Sequence, residues 1–279
     1  MSKSQPHISF EYYPPRTAAG KDRLLNETTP SLNALAPEFF SVTYGAGGTT
    51  RASTLGIVAQ MHKAGVEVAP HISFGGDDEN AIGELLDQYR ELGIRRLVAL
   101  RGDMPSGMGG PAQLVYANEL VAFIRERTGD HFNIKVAAYP EVHPEAHGYR
   151  KDIQFLKGKF EAGANSAITQ YFFNVEAYFY FLDQCAAAGI DQPIYAGIMP
   201  IANFTNLQRF SANCGAEIPR WICQRMADYR EDSDSQHKFG IEVVTQLCQT
   251  LIEGGAPGIH FYTMNQVEPT REIYNNLGL

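Results

Sequence analysis

Short apolar runs alternate with longer stretches of mixed periodicity along the whole chain. Eight runs are rich in β-branched and aromatic residues: HISFEYY from His7, FFSVTYG from Phe39, VEVAPHISF from Val66, RLVALRGD from Arg96, NIKVAAYP from Asn133, SAITQYFF from Ser166, PIYAGIMP from Pro193 and GIHFYTMN from Gly258. Their length and composition predict strands. Between them, apolar positions recur at helical spacing over 22–35, 53–64, 79–92, 114–127, 151–162 and 175–188, with further helices after Asn203. Most of these stretches stop at a glycine (Gly65, Gly93, Gly129, Gly163, Gly189), the residue that ends a helix at least steric cost. The strand–helix unit repeats at roughly 30 residues, as eight units in one α/β domain would. The reading is a (βα)8 TIM barrel over residues 1–279 as a single domain. Extra helices lie between strands seven and eight, around 219–229 and 238–253, and the acidic stretch 230–235 is read as a short loop. An open doubly wound sheet has the same periodicity and is the rival.

Side chains alternate across a strand, so each run can be split into two faces. Ile8, Phe10, Val42, Val68, Val136 and Ile259 form one set, suited to packing beneath helices. The other set is small or polar: Ser9 and Glu11, Ser41 and Thr43, Ala69, His71 and Ser73, Ala137 and Tyr139, Gln170, His260 and Tyr262. A purely structural barrel fills its interior with branched aliphatics. This one grows polar toward its strand ends, which points to a ligand-holding mouth. In the fourth run, alternation puts Ala99, Arg101 and Asp103 on one face, ending in two charges.

Composition narrows the classes. The 279 residues carry 23 basic and 31 acidic side chains, net −8, which argues against a nucleic-acid partner. The four cysteines form no CxxC pair, and MSKSQPH lacks the apolar stretch of a secretory signal, so a reducing cytoplasmic setting without membrane attachment is expected. GAGG at 45–48 and GMGG at 107–110 both fail the dinucleotide fingerprint, and no P-loop is present. Any nucleotide must be held in another way.

Glu11 is followed by Tyr12, Tyr13, Pro14 and Pro15, neighbours expected to desolvate its carboxyl and raise its pKa, as a general acid requires. The alternative is a structural pair with Arg16 or Arg101. His143 and His147 stand four apart with Glu141 and Glu145 between them, but Pro144 spoils the helical geometry and no metal is expected. His71 is a better ligand contact than His62. Cys185, Cys214 and Cys248 fit core positions, and Phe204 is read as lying in a loop where it can stack on a flat ligand.

Read together, SFEYYPPRT, FFSVTYGAGGTTR, APHISF, LVALRGD, AAYPEVHPEA, KFEAGANSAITQYFFNVEAY, GIMPIANF and HFYTMN resemble the methylenetetrahydrofolate reductase family. They run in order from Ser9 to Asn265, and the chain looks like the short bacterial-type form. The resemblance implies FAD, with NADH or NADPH as hydride donor, reducing 5,10-methylenetetrahydrofolate to 5-methyltetrahydrofolate in a homo-oligomer. It implies Glu11 as general acid, and Asp103 as an acid hydrogen-bonded to the pterin that also tunes the flavin. Thr43, His71, Arg101, Gly102, Asp103, Tyr116, Tyr139, His143, Ala146, Asp152 and Lys159 match flavin contacts. Gln170, Phe204 and Gln266 match folate contacts. The chain departs from the family at Phe155, Gly158 and Gln266, where Asn, Arg and Arg are common; the first two lie near the adenosine diphosphate part of the flavin. The rivals are a flavin-free barrel that transfers a methyl group from a pterin, and a non-catalytic folate-binding protein.

Overall fold

A computed structural model describes residues 5–44, 51–74, 78–102 and 116–279. The strands are β1 (His7–Tyr12), β2 (Phe39–Val42), β3 (Val68–Ile72), β4 (Arg96–Ala99), β5 (Asn133–Ala138), β6 (Ser166–Thr169), β7 (Ile194–Ile198) and β8 (Gly258–Tyr262). All pair in parallel in chain order, and β8 returns to β1, so the sheet closes into a barrel. The open-sheet rival is excluded by that last pairing.

The helices are α1 (Ala18–Arg23), α2 (Thr29–Asn33), α3 (Arg51–Lys63), α4 (Glu79–Glu91), α5 (Ala117–Thr128), α6 (Tyr149–Glu161), α7 (Val175–Ala187), α8 (Phe204–Cys214), α9 (Arg220–Asp228), α10 (Ser233–Glu253) and α11 (Thr270–Asn276), with a π-helical turn, Leu24–Thr28, joining α1 to α2. The first helical stretch begins before position 22 because the Thr17 hydroxyl accepts the Gly20 N–H and caps it. Likewise α10 starts inside the acidic stretch expected to be a loop. Asp232 accepts the Ser235 N–H at 3.0 Å, and acidic residues favour a helix start. Helix α11 was not anticipated. Among the described residues, no helix is long and apolar enough to cross a membrane.

The outward set of strand residues, including Phe10, Val42, Val136 and Ile259, is buried beneath the helices in the main core. Phe39, Ala69, Val98 and Ile168 form a second, small cluster with Leu100, Tyr195 and Tyr262 packed against it. This is the barrel interior. Its membership decides which face of the fourth run is the inner one. Val98 and Leu100 face inward, Ala99 joins the outer core, and the strand ends there, so Arg101 emerges on the rim. Below the mouth lies Lys135, buried, its Nζ donating to Ser166 Oγ at 3.1 Å and sitting 5.1 and 4.6 Å from the Phe39 and Tyr195 ring centres. Burial pushes that ammonium down to about 8.

Candidate active site

Strand register assembles a polar cluster on the inner face. In the parallel ladder Ser9 stands opposite His260, and Glu11 opposite Ser41. The side chains bond accordingly. Ser9 Oγ lies 2.7 Å from His260 Nδ1, and Ser41 Oγ donates to Glu11 Oε2 at 3.0 Å. His260 Nε2 reaches the same carboxylate oxygen at 3.3 Å. A neutral His260 with its proton on Nε2 satisfies both contacts, because Nδ1 then accepts from Ser9. Its complete burial pushes its pKa down, in keeping with that form. From β3, His71 Nε2 comes within 3.1 Å of Glu11 Oε2, yet off the axis of a well-formed hydrogen bond.

The backbone around Glu11 is also fixed. Thr263 Oγ1 donates to the Glu11 carbonyl at 2.7 Å. The Asn265 side chain accepts from the Tyr13 N–H at 3.0 Å and donates to the Tyr13 carbonyl at 2.8 Å. Met264 and Asn265 both hold positive φ, 53° and 58°, a conformation non-glycine residues rarely adopt. These contacts tie the end of β1 to the loop after β8.

The expectation for Glu11's acidity needs correction. Tyr12 points into the outer core and Tyr13 is exposed, so neither surrounds the carboxyl. Burial inside the barrel is the largest influence and raises the pKa. The nearby His71 and His260 imidazoles together outweigh it, holding Glu11 below the ordinary carboxylate range. Nor does Glu11 pair with arginine. Arg101 instead forms a two-pronged pair with Glu145, at 2.6 and 2.9 Å.

Two adjoining chambers open at this mouth. The first, about 420 Å³, is walled by Glu11, Gln170, Tyr171, Phe210, Cys214 and Tyr262, among others. The second, about 400 Å³, runs outward along α6 and is walled by Arg101, Gly102, Tyr116, Asp152, Phe155 and Lys159, among others. His71, Leu100, Ala137 and Tyr139 line both and form the partition between them. In the second chamber, Lys159 Nζ donates to the Ala137 carbonyl at 2.8 Å, and burial pushes the lysine down to about 8. Asp152 accepts the His143 N–H at 2.8 Å, and the His143 ring packs edge-on to Tyr139.

Of the residues expected to hold a flavin, His71, Arg101, Gly102, Tyr116, Tyr139, His143, Ala146, Asp152 and Lys159 all line the second chamber. Thr43 does not. Its N–H donates to the Tyr12 carbonyl, and its neighbour Tyr44 takes the wall position. Asp103 lies outside the described residues. Of the expected folate contacts, Gln170 lines the first chamber, whereas Gln266 is exposed beyond it. Phe204 is not in a loop. It opens α8, capped by Asn203, and packs partly buried against the main core.

The aromatic of α8 that faces the first chamber is Phe210, with Asn213 and Cys214 beside it. Cys214 packs partly buried against the main core, and its Sγ lies 3.3 Å from Tyr171 Oη at the chamber wall. The packing angle of α8 decides which residue turns inward, and no local motif encodes that angle. The buried, incompletely bonded His71 Nε2 and the mixed cationic and aromatic wall of the second chamber fit a flat, phosphate-bearing cofactor.

A closed parallel barrel with a buried carboxylate–imidazole cluster at its strand ends defines a (βα)8 enzyme with its site at the C-terminal rim. The methylenetetrahydrofolate reductase family profile matches residues 1–278, and the chain belongs to that family. It is 40% identical over 274 residues to the 5,10-methylenetetrahydrofolate reductase of Pectobacterium carotovorum subsp. carotovorum, covering 98% of this chain and 90% of that protein. It is 39% identical over 278 residues to the Escherichia coli K12 protein of the same name, covering 99% and 92%. Among solved structures, a Clostridium thermocellum protein described as binding two copies of 5-methyl-5,6,7,8-tetrahydrofolic acid aligns over 99% of this chain and 94% of its own. Its TM-score is 0.65 at 15% identity, a likeness of fold. The chain is thus an enzyme that reduces methylenetetrahydrofolate, in a flavin-dependent family. That excludes the methyl-transfer and non-catalytic readings.

Proposed function

We propose that the second chamber holds FAD, with its ring system at the His71–Tyr139 partition, and that the first chamber receives 5,10-methylenetetrahydrofolate against Glu11. The observation that carries this reading is the partition itself, because one histidine faces both the proposed cofactor position and the candidate acid. When bound, the flavin supplies the hydride chemistry, taking a hydride from NADH or NADPH and giving it to the folate. The protein's own residues supply position, charge and a proton.

Lys159 and Arg101 offer cationic groups for the diphosphate, and Asp152 and Glu145 offer acceptors for ribose hydroxyls. His71, incompletely bonded at Nε2, would be the donor to a bound flavin. With His71 so engaged its hold on Glu11 would weaken, and burial, the largest influence on this carboxyl, would raise its pKa. Glu11 in its protonated form delivers the proton to the folate nitrogen that leaves as the five-membered ring opens to the iminium. His260 and Ser41 hold the carboxyl in place through their contacts to Oε2. Gln170 reaches the pterin from β6, and Phe210 stacks on the folate in the role the sequence assigned to Phe204. Asp103, next in the chain to Gly102, is proposed on the resemblance alone to hydrogen-bond the pterin.

The test is Glu11→Gln. This variant should retain flavin and oxidise the pyridine nucleotide with an artificial acceptor, yet lose folate reduction by several hundredfold or more, on the order of a general-acid contribution. Folate turnover at the parent rate would remove Glu11 from the mechanism.

A further inference from the structure

Six large apolar side chains are exposed among the described residues, and two of them, Tyr116 and Phe155, line the same chamber. Phe155 is 47% exposed. It lies on α6, three residues after Asp152 and four before Lys159, so all three project from one helix face into that chamber. Lys151 Nζ sits 5.2 Å from the Phe155 ring centre. One turn further on, a Cβ placed at Gly158 would meet nothing within 4 Å. An aromatic ring left half in water on a chamber wall contributes little to the core. It presents a flat apolar face to a flat partner.

The fold decides which flat partner. Phe155 is not part of the partition shared with the Glu11 chamber; that partition is His71, Leu100, Ala137 and Tyr139. A hydride-carrying ring must reach the partition, so Phe155 meets the opposite end of the cofactor. Cationic Lys159 and Arg101 line the same chamber, as an anionic linker between two flat ends requires.

We infer that Phe155 is the platform on which the adenine of the dinucleotide cofactor stacks. The inference rests on the flavin reading above.

The experiment is equilibrium titration of flavin-stripped protein with FAD and, separately, FMN, followed by flavin fluorescence. The parent should bind FAD at least about tenfold more tightly than FMN. Phe155→Ala should weaken FAD about tenfold, the scale of one base on an aromatic ring, and leave FMN unchanged. Phe155→Trp should keep the FAD preference. Unchanged FAD affinity in Phe155→Ala, or equal loss for both flavins, overturns the inference while leaving the flavin reading standing. Failure of the parent to bind either flavin overturns both. A thermal melt of each stripped variant checks folding, and the exposed position of Phe155 makes a folding defect an unexpected result.

Discussion

His71 Nε2 and Glu11 Oε2 lie 3.1 Å apart, held together from β3 and β1 with β2 between them. The contact gives the ligand-free protein a pH signature. Glu11 is held below its ordinary value of 4.5, so its contribution to stability is fully present above about pH 4.5 and is lost as the pH falls further. Glu11→Gln removes the titrating group, and His71→Asn weakens the hold on it. Thermal melts of flavin-stripped protein between pH 7 and 3 should show an acid-side loss in the parent that is smaller in His71→Asn and missing its Glu11 component in Glu11→Gln. Superimposable profiles for all three would refute the coupling.

Lys135 titrates in the opposite sense. Its ammonium is buried, and its pKa falls from 10.5 to about 8, so the fold penalises the charged form below pH 8. That penalty is relieved as the pH climbs from 8 toward 10.5. Lys135→Met keeps the length and apolar body of the side chain. It should be more stable than the parent at pH 7 by about 1–3 kcal/mol, with the gap narrower at pH 9.5. Denaturant midpoints at pH 7, 8.5 and 9.5 measure this, and a gap that is constant or widens with pH would contradict it.

Gly197, on β7, sits where two neighbours crowd the backbone. A Cβ there would overlap the Thr169 carbonyl oxygen and reach 2.9 Å from the Tyr262 ring. Thr169 Oγ1 also accepts the Gly197 N–H at 2.8 Å, and Tyr262 Oη donates to the Thr169 carbonyl at 2.7 Å, so neither neighbour can retreat without losing a buried bond. Gly197→Ala should cost about 3 kcal/mol or more in urea unfolding. A loss below about 1 kcal/mol would mean that β6 and β7 yield far more than this packing allows.

Phe204 and Phe210 share a helix but differ in what they face. Phe210 lines the Glu11 chamber, whereas Phe204 packs on the main core. Phe210→Ala should raise the folate KM about tenfold and leave flavin reduction by the pyridine nucleotide little changed. Phe204→Ala should lower the melting temperature without a comparable rise in KM. The reverse assignment of the two effects would return the stacking role to Phe204.

The barrel was legible because its code is local. Each strand announces itself by composition, and the glycine after each helix needs only its own backbone. The paired faces could also be read, since the Ser9–Glu11 and Ser41–Thr43 alternation is independent of any partner. What escaped was decided by tertiary placement. Tyr12 and Tyr13 adjoin Glu11 in the chain but not in space, whereas His71 and His260 surround it from distant strands. Proximity in sequence therefore gave the wrong sign for its acidity. The inward face of β4 followed Val98 and Leu100 because the outer core claimed Ala99. Nothing within RLVALRGD states that choice. The expected flavin contacts came from long motifs, and nine of them cluster in one chamber because those motifs occupy the adjoining ends of β3 through β5 and the start of α6.

The same four residues, His71, Leu100, Ala137 and Tyr139, line both compartments. With folate and flavin in the two compartments as proposed, a compound built with a pterin-like head and an aromatic tail joined by a short tether would straddle that wall and block two occupants with one molecule. Inhibitors of this enzyme are therefore better grown across that wall than deepened within either compartment.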